Sequence, residues 1–401
     1  MRCVRLCGAR DIRVETAPDA RAPMVGEVRI RVECVGICGS DLHPYLSGDV
    51  DESGQPGAVS LIPGHEFAGI VESTGEPIPY GDAAPAMPVR YGLFGGDFRP
   101  LHVGMRVAVD PAMPCRMCAR CVDGNPNLCE NLRFCGLYPH DGAMCERITV
   151  PAACCYPLDA PTAATEDMKP DGVQYRNPSL NATTGAMLEP IGVALHAVRL
   201  AKIRPGETVA VVGAGPIGLG IAWFARFAGA AQVIVTDRRP WRLDAARQWA
   251  LADHTIRIAD DGVDEIILGE IDDTSDGDSV AAVRRRVANG VDVAMEAAWC
   301  DESVQQAAEM LRRGGRLIVA GIPAEDRFLL RHSTARRRGL TIRMVRRMKH
   351  VYPTLLDLAW RGQLDPERLV THRYSLADAC AAFADAADGR PGLIKSVVTI
   401  E

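Results

Sequence analysis

Four closely spaced cysteines are the feature that most restricts how this chain of 401 residues can fold. Their spacing is C-x2-C-x2-C-x7-C, in a segment interrupted by proline and glycine, and they are Cys115, Cys118, Cys121 and Cys129. Thiolates held this closely on a turn-rich loop can converge on one tetrahedral Zn²⁺ at about 2.3 Å and leave no coordination position open. The spacing therefore predicts a structural zinc site around which a lobe of the protein is organised.

Composition is that of a soluble globular protein, with 47% apolar and 24% charged residues and a length that allows two to three domains. The formal net charge of −6 argues against nucleic acid or an anionic membrane as a partner. The chain has no apolar N-terminal stretch of the signal-peptide type and no run of about 18 apolar residues. The cysteines outside the zinc motifs show no disulfide-framework spacing, so we expect a cytoplasmic protein.

The pattern of apolar and turn-forming residues changes near residue 188. Before it, short strand-like runs are separated by Gly and Pro, which predicts a mainly β, barrel-like domain; the runs are residues 27–35, 67–71 and 105–109. After it, apolar runs alternate with helical lengths, the pattern of βαβ units and a parallel sheet. These runs are residues 208–212, 233–236, 291–295, 316–320 and 340–342. The strand-like residues 394–400 end a tail that can rejoin the first domain.

We therefore predict an α/β protein of two domains. The first comprises residues 1–187 and 343–401, with the cysteine lobe at 110–135, and the second is a doubly wound parallel-sheet domain at 188–342. Two irregular stretches, residues 76–100 and 160–186, have the length and composition of insertions, and loops of that length are usually functional or mobile.

A glycine fingerprint opens the second domain. The run 209–212 leads into Gly213, Gly215, Pro216, Ile217 and Gly218, and a helical pattern follows. A G-x-G-x-x-G between strand and helix is typical of dinucleotide binding: the first glycine makes the turn, the second admits the pyrophosphate, and the third allows close helix packing. The helix N-terminus then faces the phosphates.

An acidic residue after the next strand predicts the cofactor. Asp237 lies 24 residues beyond Gly213, where a carboxylate can accept both ribose hydroxyls and repel a 2′-phosphate, so we expect NAD. Arg238 and Arg242 are also candidate cofactor residues, because an arginine here can stack on adenine or pair with a phosphate. The alternative for such residues is solvated surface charge.

A second group of possible metal ligands surrounds the cysteine lobe in the sequence. It consists of the segment from Cys38 to His43 (C-G-S-D-L-H), His65 and Glu66 within G-H-E-x-x-G, and Glu189 before a proline. Taken singly, a cysteine or histidine is more often a packed structural residue. Their order around a four-cysteine lobe makes the combination specific.

Together these motifs resemble those of the zinc-dependent medium-chain dehydrogenases, in particular the polyol (sorbitol or L-iditol) dehydrogenase branch, which is close to the butanediol and threonine dehydrogenases. The resemblance implies a GroES-like, mainly β catalytic domain and a Rossmann domain. It also implies one catalytic and one structural Zn²⁺ per chain, NAD as cofactor and a homodimer or homotetramer. The reaction implied is oxidation of a secondary alcohol of a polyol or vicinal diol to a ketone.

The resemblance also assigns roles to individual residues. Cys38 and His65 bind the catalytic zinc with a carboxylate as third ligand, either Glu66 or Glu189; the alcohol dehydrogenases of the family have a cysteine at the position matching Glu189. A bound Zn²⁺ lowers the pKa of an alcohol so that hydride can pass to the nicotinamide.

Three further residues complete the expected active site by the same resemblance. Ser40 takes the proton of the alcohol and passes it through the cofactor ribose to His43, for which an exposed loop histidine is the alternative reading. Arg347 occupies the stretch where polyol dehydrogenases reach back toward the substrate and can hydrogen-bond a polyhydroxylated chain; solvated charge is its alternative.

Other functions remain open at this point. The nearest are butanediol or L-threonine 3-dehydrogenase activity, and a dehydrogenase for a specialised cyclitol or secondary-metabolite alcohol. A zinc-free reductase of the same superfamily would lack both metal motifs. A non-catalytic, zinc-stapled binding protein would keep the motifs without turnover, because motifs show capability and not activity.

Overall fold

The computed structural model describes residues 1–49, 60–76, 101–161, 175–258, 279–298, 300–323 and 327–401. The chain divides into two compact units: unit 1 comprises Met1–Glu189 and Lys349–Glu401, and unit 2 comprises Pro190–Met348. The expected insertion at 76–100 lies outside the described residues except at Glu76. Of the expected insertion at 160–186, residues 162–174 also lie outside them, and its last residues already belong to a helix.

The strands of unit 1 that precede unit 2 in the chain are β1 (Arg2–Gly8), β2 (Asp11–Thr16), β3 (Glu27–Gly36), β4 (Glu66–Thr74), β5 (Arg106–Val109), β6 (Ala112–Met113), β7 (Arg133–Phe134), β8 (Arg147–Pro151) and β9 (Cys155–Pro157). The strands of unit 2 are β10 (Thr208–Val212), β11 (Gln232–Asp237), β12 (His254–Arg257), β13 (Val291–Glu296), β14 (Leu311–Val319) and β15 (Thr341–Met344). The chain then adds β16 (Val370–Ser375) and β17 (Lys395–Thr399) to unit 1.

The helices are α1 (Gly39–Ser47), α2 (Ala119–Val122), α3 (Ala182–Ala201), α4 (Pro216–Phe227), α5 (Pro240–Gln248), α6 (Ser279–Arg286), α7 (Ser303–Met310), α8 (His332–Arg338), α9 (Tyr352–Trp360) and α10 (Ala379–Ala387). Short 3₁₀ turns occur at Pro126–Leu128, Ala152–Cys154, Pro366–Leu369 and Leu376–Asp378. Within the described ranges, no helix is long and apolar enough to cross a bilayer.

A seven-stranded sheet forms the centre of unit 1, in the order β16-β17-β3-β4-β5-β9, with β8 also paired to β3. The neighbours are antiparallel except β16 and β17. In β3, Val28, Ile30 and Val32 are buried at every second position, because successive side chains of a strand point to opposite faces. The C-terminal strand β17 pairs with β3, so the tail of the chain returns to unit 1.

Unit 2 contains a six-stranded parallel sheet in the order β12-β11-β10-β13-β14-β15. Helices alternate with these strands, which confirms the prediction of an α/β protein with a doubly wound sheet. The strand order reverses between β10 and β13. The apolar run at 316–320 predicts a later start for β14 than the structure shows. The strand begins at Leu311, which pairs with Val291, and an irregular, charged and glycine-rich stretch follows before the apolar run.

Candidate active site

The four cysteines of the lobe converge in the structure. The sulfur atoms of Cys115, Cys118, Cys121 and Cys129 all lie within 4.8 Å of one another. Tetrahedral Zn²⁺ with bonds of about 2.3 Å places its sulfurs about 3.8 Å apart, and the Cys118 and Cys129 Sγ atoms are 3.9 Å apart. The donor set and its spacing therefore fit a closed zinc site.

Backbone N–H groups of the lobe donate hydrogen bonds to the cysteine sulfurs, which favours the thiolate form that binds a metal ion. The N–H of Cys115 donates to Cys129 Sγ at 3.2 Å, and the N–H of Cys118 donates to Cys115 Sγ at 3.4 Å. N–H donors from Met117 and Cys118 lower the pKa of Cys115 to about 6. Burial and the neighbouring thiols raise the pKa of Cys121 to about 12. Cysteine binds zinc as the thiolate, so a bound Zn²⁺ would balance the charge of the ionised groups.

A second cluster forms where β3 ends and β4 begins. Ligand atoms of Cys38, His65 and Glu66 lie within 4.8 Å of one another. Cys38 is the N-cap of α1, two residues beyond β3, and His65 immediately precedes β4. Gly36 and Glu66 are paired across the two strands. The pairing of β3 with β4 therefore brings together residues that are far apart in the sequence.

Gly36 makes room for the Glu66 carboxylate. A Cβ atom at this position would lie 2.1 Å from Glu66 Oε2 and 2.8 Å from the Met187 methyl carbon. Glu66 is completely buried. A residue larger than glycine at position 36 would therefore displace the carboxylate from the cluster.

Asp41 orients the imidazole of His65. Its Oδ1 atom lies 3.3 Å from His65 Nδ1, and its Oδ2 atom accepts the N–H of Cys38 at 2.9 Å. Burial would raise the pKa of Asp41, but the facing His65 charge and the N–H donors lower it below its ordinary value. A metal-binding histidine commonly gives its other ring nitrogen to a carboxylate in this way, which leaves His65 Nε2 to face the cluster.

Lys395 connects both ligand-bearing segments. From β17, its buried Nζ donates to the Ile37 carbonyl at 2.8 Å and to Glu66 Oε1 at 2.6 Å, and it lies 2.5 Å from Oε2. Burial would lower the pKa of Lys395, but the charges of Glu66 and Cys38 raise it above its ordinary value. The cluster thus contains a buried ammonium that touches the residue before Cys38 and the residue after His65.

The other expected site residues of unit 1 lie on the same elements or near them. Ser40 Oγ is 3.4 Å from His65 Nε2, and the half-buried His43 follows on α1. Glu189 is buried on α3, outside the group formed by Cys38, His65 and Glu66. Burial, then the charges of Asp110 and Glu189, raise the pKa of Tyr352, whose hydroxyl donates to the Val109 carbonyl.

The fingerprint of unit 2 has the expected local geometry. Gly213 follows β10 with a φ of 96°, and Pro216 and Ile217 begin α4. A Cβ on Gly218 would lie 1.8 Å from the Gly213 carbonyl oxygen, so glycine is needed for close packing. A Cβ on Gly215 would meet nothing nearer than an Arg242 nitrogen at 3.7 Å, so this side of the loop is open.

Asp237 lies beside this loop at the end of β11. Its carboxylate accepts the Ala214 N–H at 2.6 Å and the Arg239 N–H at 2.7 Å, and Arg242 lies 3.8 Å away. A carboxylate has about four acceptor positions, so it retains capacity for ribose hydroxyls. Arg238 follows Asp237 directly, and Arg347 lies near the end of unit 2 with a φ of 55°.

Comparisons with known proteins place both units in one family. The model of the alcohol dehydrogenase GroES-like domain matches residues 25–160, and the model of the zinc-binding dehydrogenase matches residues 216–361. Sorbitol dehydrogenase of Bacillus subtilis (strain 168) is 31% identical over 403 residues, which cover 99% of this chain and 97% of that protein.

Solved structures give the same result. 2R,3R-butanediol dehydrogenase from Bacillus subtilis has a TM-score of 0.73 and 26% identity, over 99% of each chain. A zinc-binding dehydrogenase from Sinorhizobium meliloti 1021, solved bound to NADP, has a TM-score of 0.73 and 25% identity, over 99% of this chain and 98% of that one.

A GroES-like unit with a cluster of metal-ligand type and a Rossmann unit with its glycine fingerprint define an alcohol dehydrogenase of the medium-chain class. The chain belongs to the zinc-binding dehydrogenase family, in its polyol dehydrogenase branch, and is a zinc-dependent oxidoreductase. The family and the fold read from the sequence motifs are thus confirmed.

Asp41 and Lys395 are two site residues to which the sequence motifs assign no role. Asp41 stands inside the quoted C-G-S-D-L-H segment, three residues after Cys38, where an acidic residue at the third helical position signals a capping box. That signal could have been found. Lys395 carries no local signal, because its partners lie more than 300 residues away.

Proposed function

We propose that this protein is an NAD-dependent dehydrogenase that oxidises a secondary alcohol of a polyol or vicinal diol to a ketone at a zinc site. The observation that carries the proposal is the cluster of the half-buried Cys38 with the buried His65 and Glu66. Three protein ligands are the number that a catalytic zinc site uses, and the fourth position serves the substrate. The cysteine lobe, with its four ligands, serves as a structural site.

The ligand set of the proposal is Cys38, His65 and Glu66, with Glu189 outside it. Ligand atoms of the first three side chains lie within 4.8 Å of one another, and Glu189 does not belong to that group. A carboxylate can bind a metal and still accept an ammonium, so contact with Lys395 is compatible with this role for Glu66.

When bound, Zn²⁺ supplies Lewis acidity toward the alcohol, and the dinucleotide accepts the hydride. Ser40 is placed to take the alcohol proton at Oγ, since it lies beside the ring nitrogen of His65 that faces the cluster. His43, one turn further along α1, passes this proton toward solvent. Asp41 and Lys395 hold the two ligand segments in place during the reaction.

The preference for NAD rests on Asp237. Its carboxylate ends β11 beside the fingerprint loop, where a ribose 2′-hydroxyl is accepted and a 2′-phosphate is repelled. Arg238 and Arg242 adjoin it and would favour the opposite cofactor, and one structural relative was solved with NADP. Initial rates with each dinucleotide decide between them.

The proposed substrate class is based on the substrates named for the relatives. Sorbitol dehydrogenase is a polyol enzyme matched over nearly the full chain, and Arg347 is the residue proposed to bind a polyhydroxylated substrate. A second candidate, a butanediol-type vicinal diol, is favoured by the similarity to 2R,3R-butanediol dehydrogenase. Assembly as a homodimer or homotetramer in the cytoplasm belongs to the same proposal and rests on family resemblance.

The test is the initial rate of NAD reduction by purified, zinc-replete protein with sugar alcohols, inositols, vicinal diols and threonine. We expect turnover of a polyol or vicinal diol that disappears on chelation and returns with added zinc. Turnover that is insensitive to a chelator would refute the zinc mechanism. Silence across the panel, together with retained zinc and dinucleotide binding, would refute the substrate class.

A further inference from the structure

Glu296 occupies the position in unit 2 where a doubly wound sheet binds its ligand. The strand order reverses between β10 and β13, and ligands of such sheets bind outside the carboxyl ends of the strands at this reversal. Val212 and Glu296, the last residues of these two strands, are register partners. Gly213, the first glycine of the fingerprint, directly follows Val212.

The Glu296 carboxylate points into the protein, although it lies at the end of a strand. The residue is 1% exposed. Its Oε1 atom accepts the Ala298 N–H and the Ser303 hydroxyl, both at 2.8 Å, and its Oε2 atom accepts the Gly321 N–H at 3.1 Å. Burial raises its pKa above the ordinary value, and these donors oppose the rise.

These three donors belong to separate segments at the carboxyl end of the parallel sheet. Ala298 lies in the turn after β13, Ser303 begins α7, and Gly321 lies beyond the end of β14. A Cβ on Gly321 would lie 2.6 and 2.7 Å from the two Glu296 oxygens. The carboxylate therefore links the turn after β13 to the turn after β14 at close range.

The turn after β13 also contacts the fingerprint loop. The Ala297 N–H donates to the Val212 carbonyl at 2.8 Å, and a Cβ on Gly213 would lie 2.8 Å from the Ala297 carbonyl oxygen. A shift of the turn after β13 would therefore move the backbone against which Gly213, the first glycine of the fingerprint, is packed.

The two halves of a dinucleotide lie on opposite sides of β10. Asp237, at the end of β11, is on the side of the adenosine ribose, and the pyrophosphate lies at the start of α4. The turns after β13 and β14 lie on the other side of β10, toward the nicotinamide half. These are the turns that Glu296 joins.

We propose that Glu296 is a positioning residue for the nicotinamide half of the cofactor, which it serves by fixing the backbone of the turns after β13 and β14. The inference rests on the proposed dinucleotide-dependent function. It assigns to Glu296 an effect on one half of the ligand only, and this separates it from a residue that merely supports the fold.

The main test is Glu296→Gln, with binding of NADH and of ADP-ribose measured separately by protein fluorescence. Glutamine keeps the shape but presents an NH₂ group toward one of the N–H donors, so one contact becomes donor against donor. We expect the Kd for NADH to rise about tenfold, which corresponds to a loss of about 1.4 kcal/mol of binding free energy. The Kd for ADP-ribose, which lacks nicotinamide, is expected to stay within about twofold.

Asp292→Asn is the matched control. Asp292 lies on the same strand at its opposite end and also accepts three hydrogen bonds, two from Thr208 and one from Arg312. Its replacement is expected to lower the melting temperature and to leave both dissociation constants unchanged. Equal weakening of NADH and ADP-ribose by Glu296→Gln would overturn the inference, because it would indicate a general loss of structure.

Ser303→Ala provides a second variant in case Glu296→Gln does not fold. It retains the carboxylate and removes one donor, so a smaller rise in the Kd for NADH is expected, again without a change for ADP-ribose. An unchanged Kd for NADH in the folded variant would overturn the inference while the proposed function stands. Wild-type protein that binds neither ligand would overturn the proposed function, and the inference with it.

Discussion

Lys395 Nζ lies 2.6 Å from Glu66 Oε1, and both side chains are buried. The contact joins the last strand of unit 1 to the cluster in which Cys38, His65 and Glu66 meet. Because the same ammonium also binds the Ile37 carbonyl, the C-terminal strand holds both segments that supply candidate ligands. The Lys395–Glu66 ion pair thus fixes the position of these two segments relative to the C-terminal strand.

Replacing Lys395 with methionine should destabilise the protein by about 3–5 kcal/mol, the range for leaving one member of a buried ion pair without its partner. The free energy of unfolding in urea measures this effect, and the zinc content should fall at the same time. Lys395→Arg, which keeps the charge, should recover part of both. Arg368→Ala is the control, since its ion pair with Asp365 is 53% and 55% exposed and should contribute at most about 1 kcal/mol. If Arg368→Ala and the methionine variant of Lys395 lower the free energy of unfolding by the same amount, the structural role of Lys395 is contradicted.

The two proposed zinc sites should be separable by mutation. Cys38→Ala is expected to leave one zinc ion per chain, the one in the lobe, because Cys115, Cys118, Cys121 and Cys129 are unaffected. Elemental analysis of dialysed protein measures the stoichiometry. Retention of both metal ions in this variant would refute Cys38 as a ligand. Cys118→Ala is the complementary variant and is expected to destabilise the lobe.

Asp41→Asn should weaken zinc binding at the cluster about 10- to 100-fold, the usual effect of losing the carboxylate behind a metal-binding histidine. Asparagine has nearly the same shape, so the N-cap of α1 retains an acceptor for the Cys38 N–H. Competition with a chromogenic chelator measures the affinity. Asp11→Asn, at an exposed pair with Arg13, is the control. An Asp41→Asn protein with wild-type zinc affinity would show that His65 needs no orienting carboxylate.

His43→Ala should slow turnover mainly at low pH. There hydroxide is scarce, so the reaction depends on an imidazole to carry the proton from Ser40 to solvent. The measurement is the pH profile of kcat, with the zinc content checked in parallel. A profile that keeps its wild-type shape, with an intact metal site, would exclude His43 from the proton path.

Asp237→Asn should reduce the preference for NAD over NADP by about tenfold, which corresponds to about 1.4 kcal/mol. The amide no longer repels a 2′-phosphate, and it loses acceptor capacity for the ribose hydroxyls. The ratio of kcat/KM for the two cofactors measures the preference. If the wild-type protein already prefers NADP, this interpretation of Asp237 fails.

Local patterns in the sequence predicted a large part of this protein. The four-cysteine spacing and the G-x-G-x-x-G motif depend on neighbours within a few turns of chain, so the sequence displays them directly. Apolar runs predict β10, β11 and β13 for the same reason, because strands covered on both faces form such runs. The edge strand β12 has no such run, so the apolar pattern does not predict it.

The sequence by itself determined the family, the two-domain α/β fold and a set of candidate ligands that left Glu66 and Glu189 as alternatives. Only the tertiary structure grouped Glu66 with Cys38 and His65, placed Asp41 behind His65, and brought Lys395 into contact with Glu66 across 329 residues of chain. In unit 2 it likewise placed Glu296 against Gly321. The physical reason is that these contacts are made by strand pairing and by burial of charge between distant segments, and no periodicity along the chain records which strands will pair.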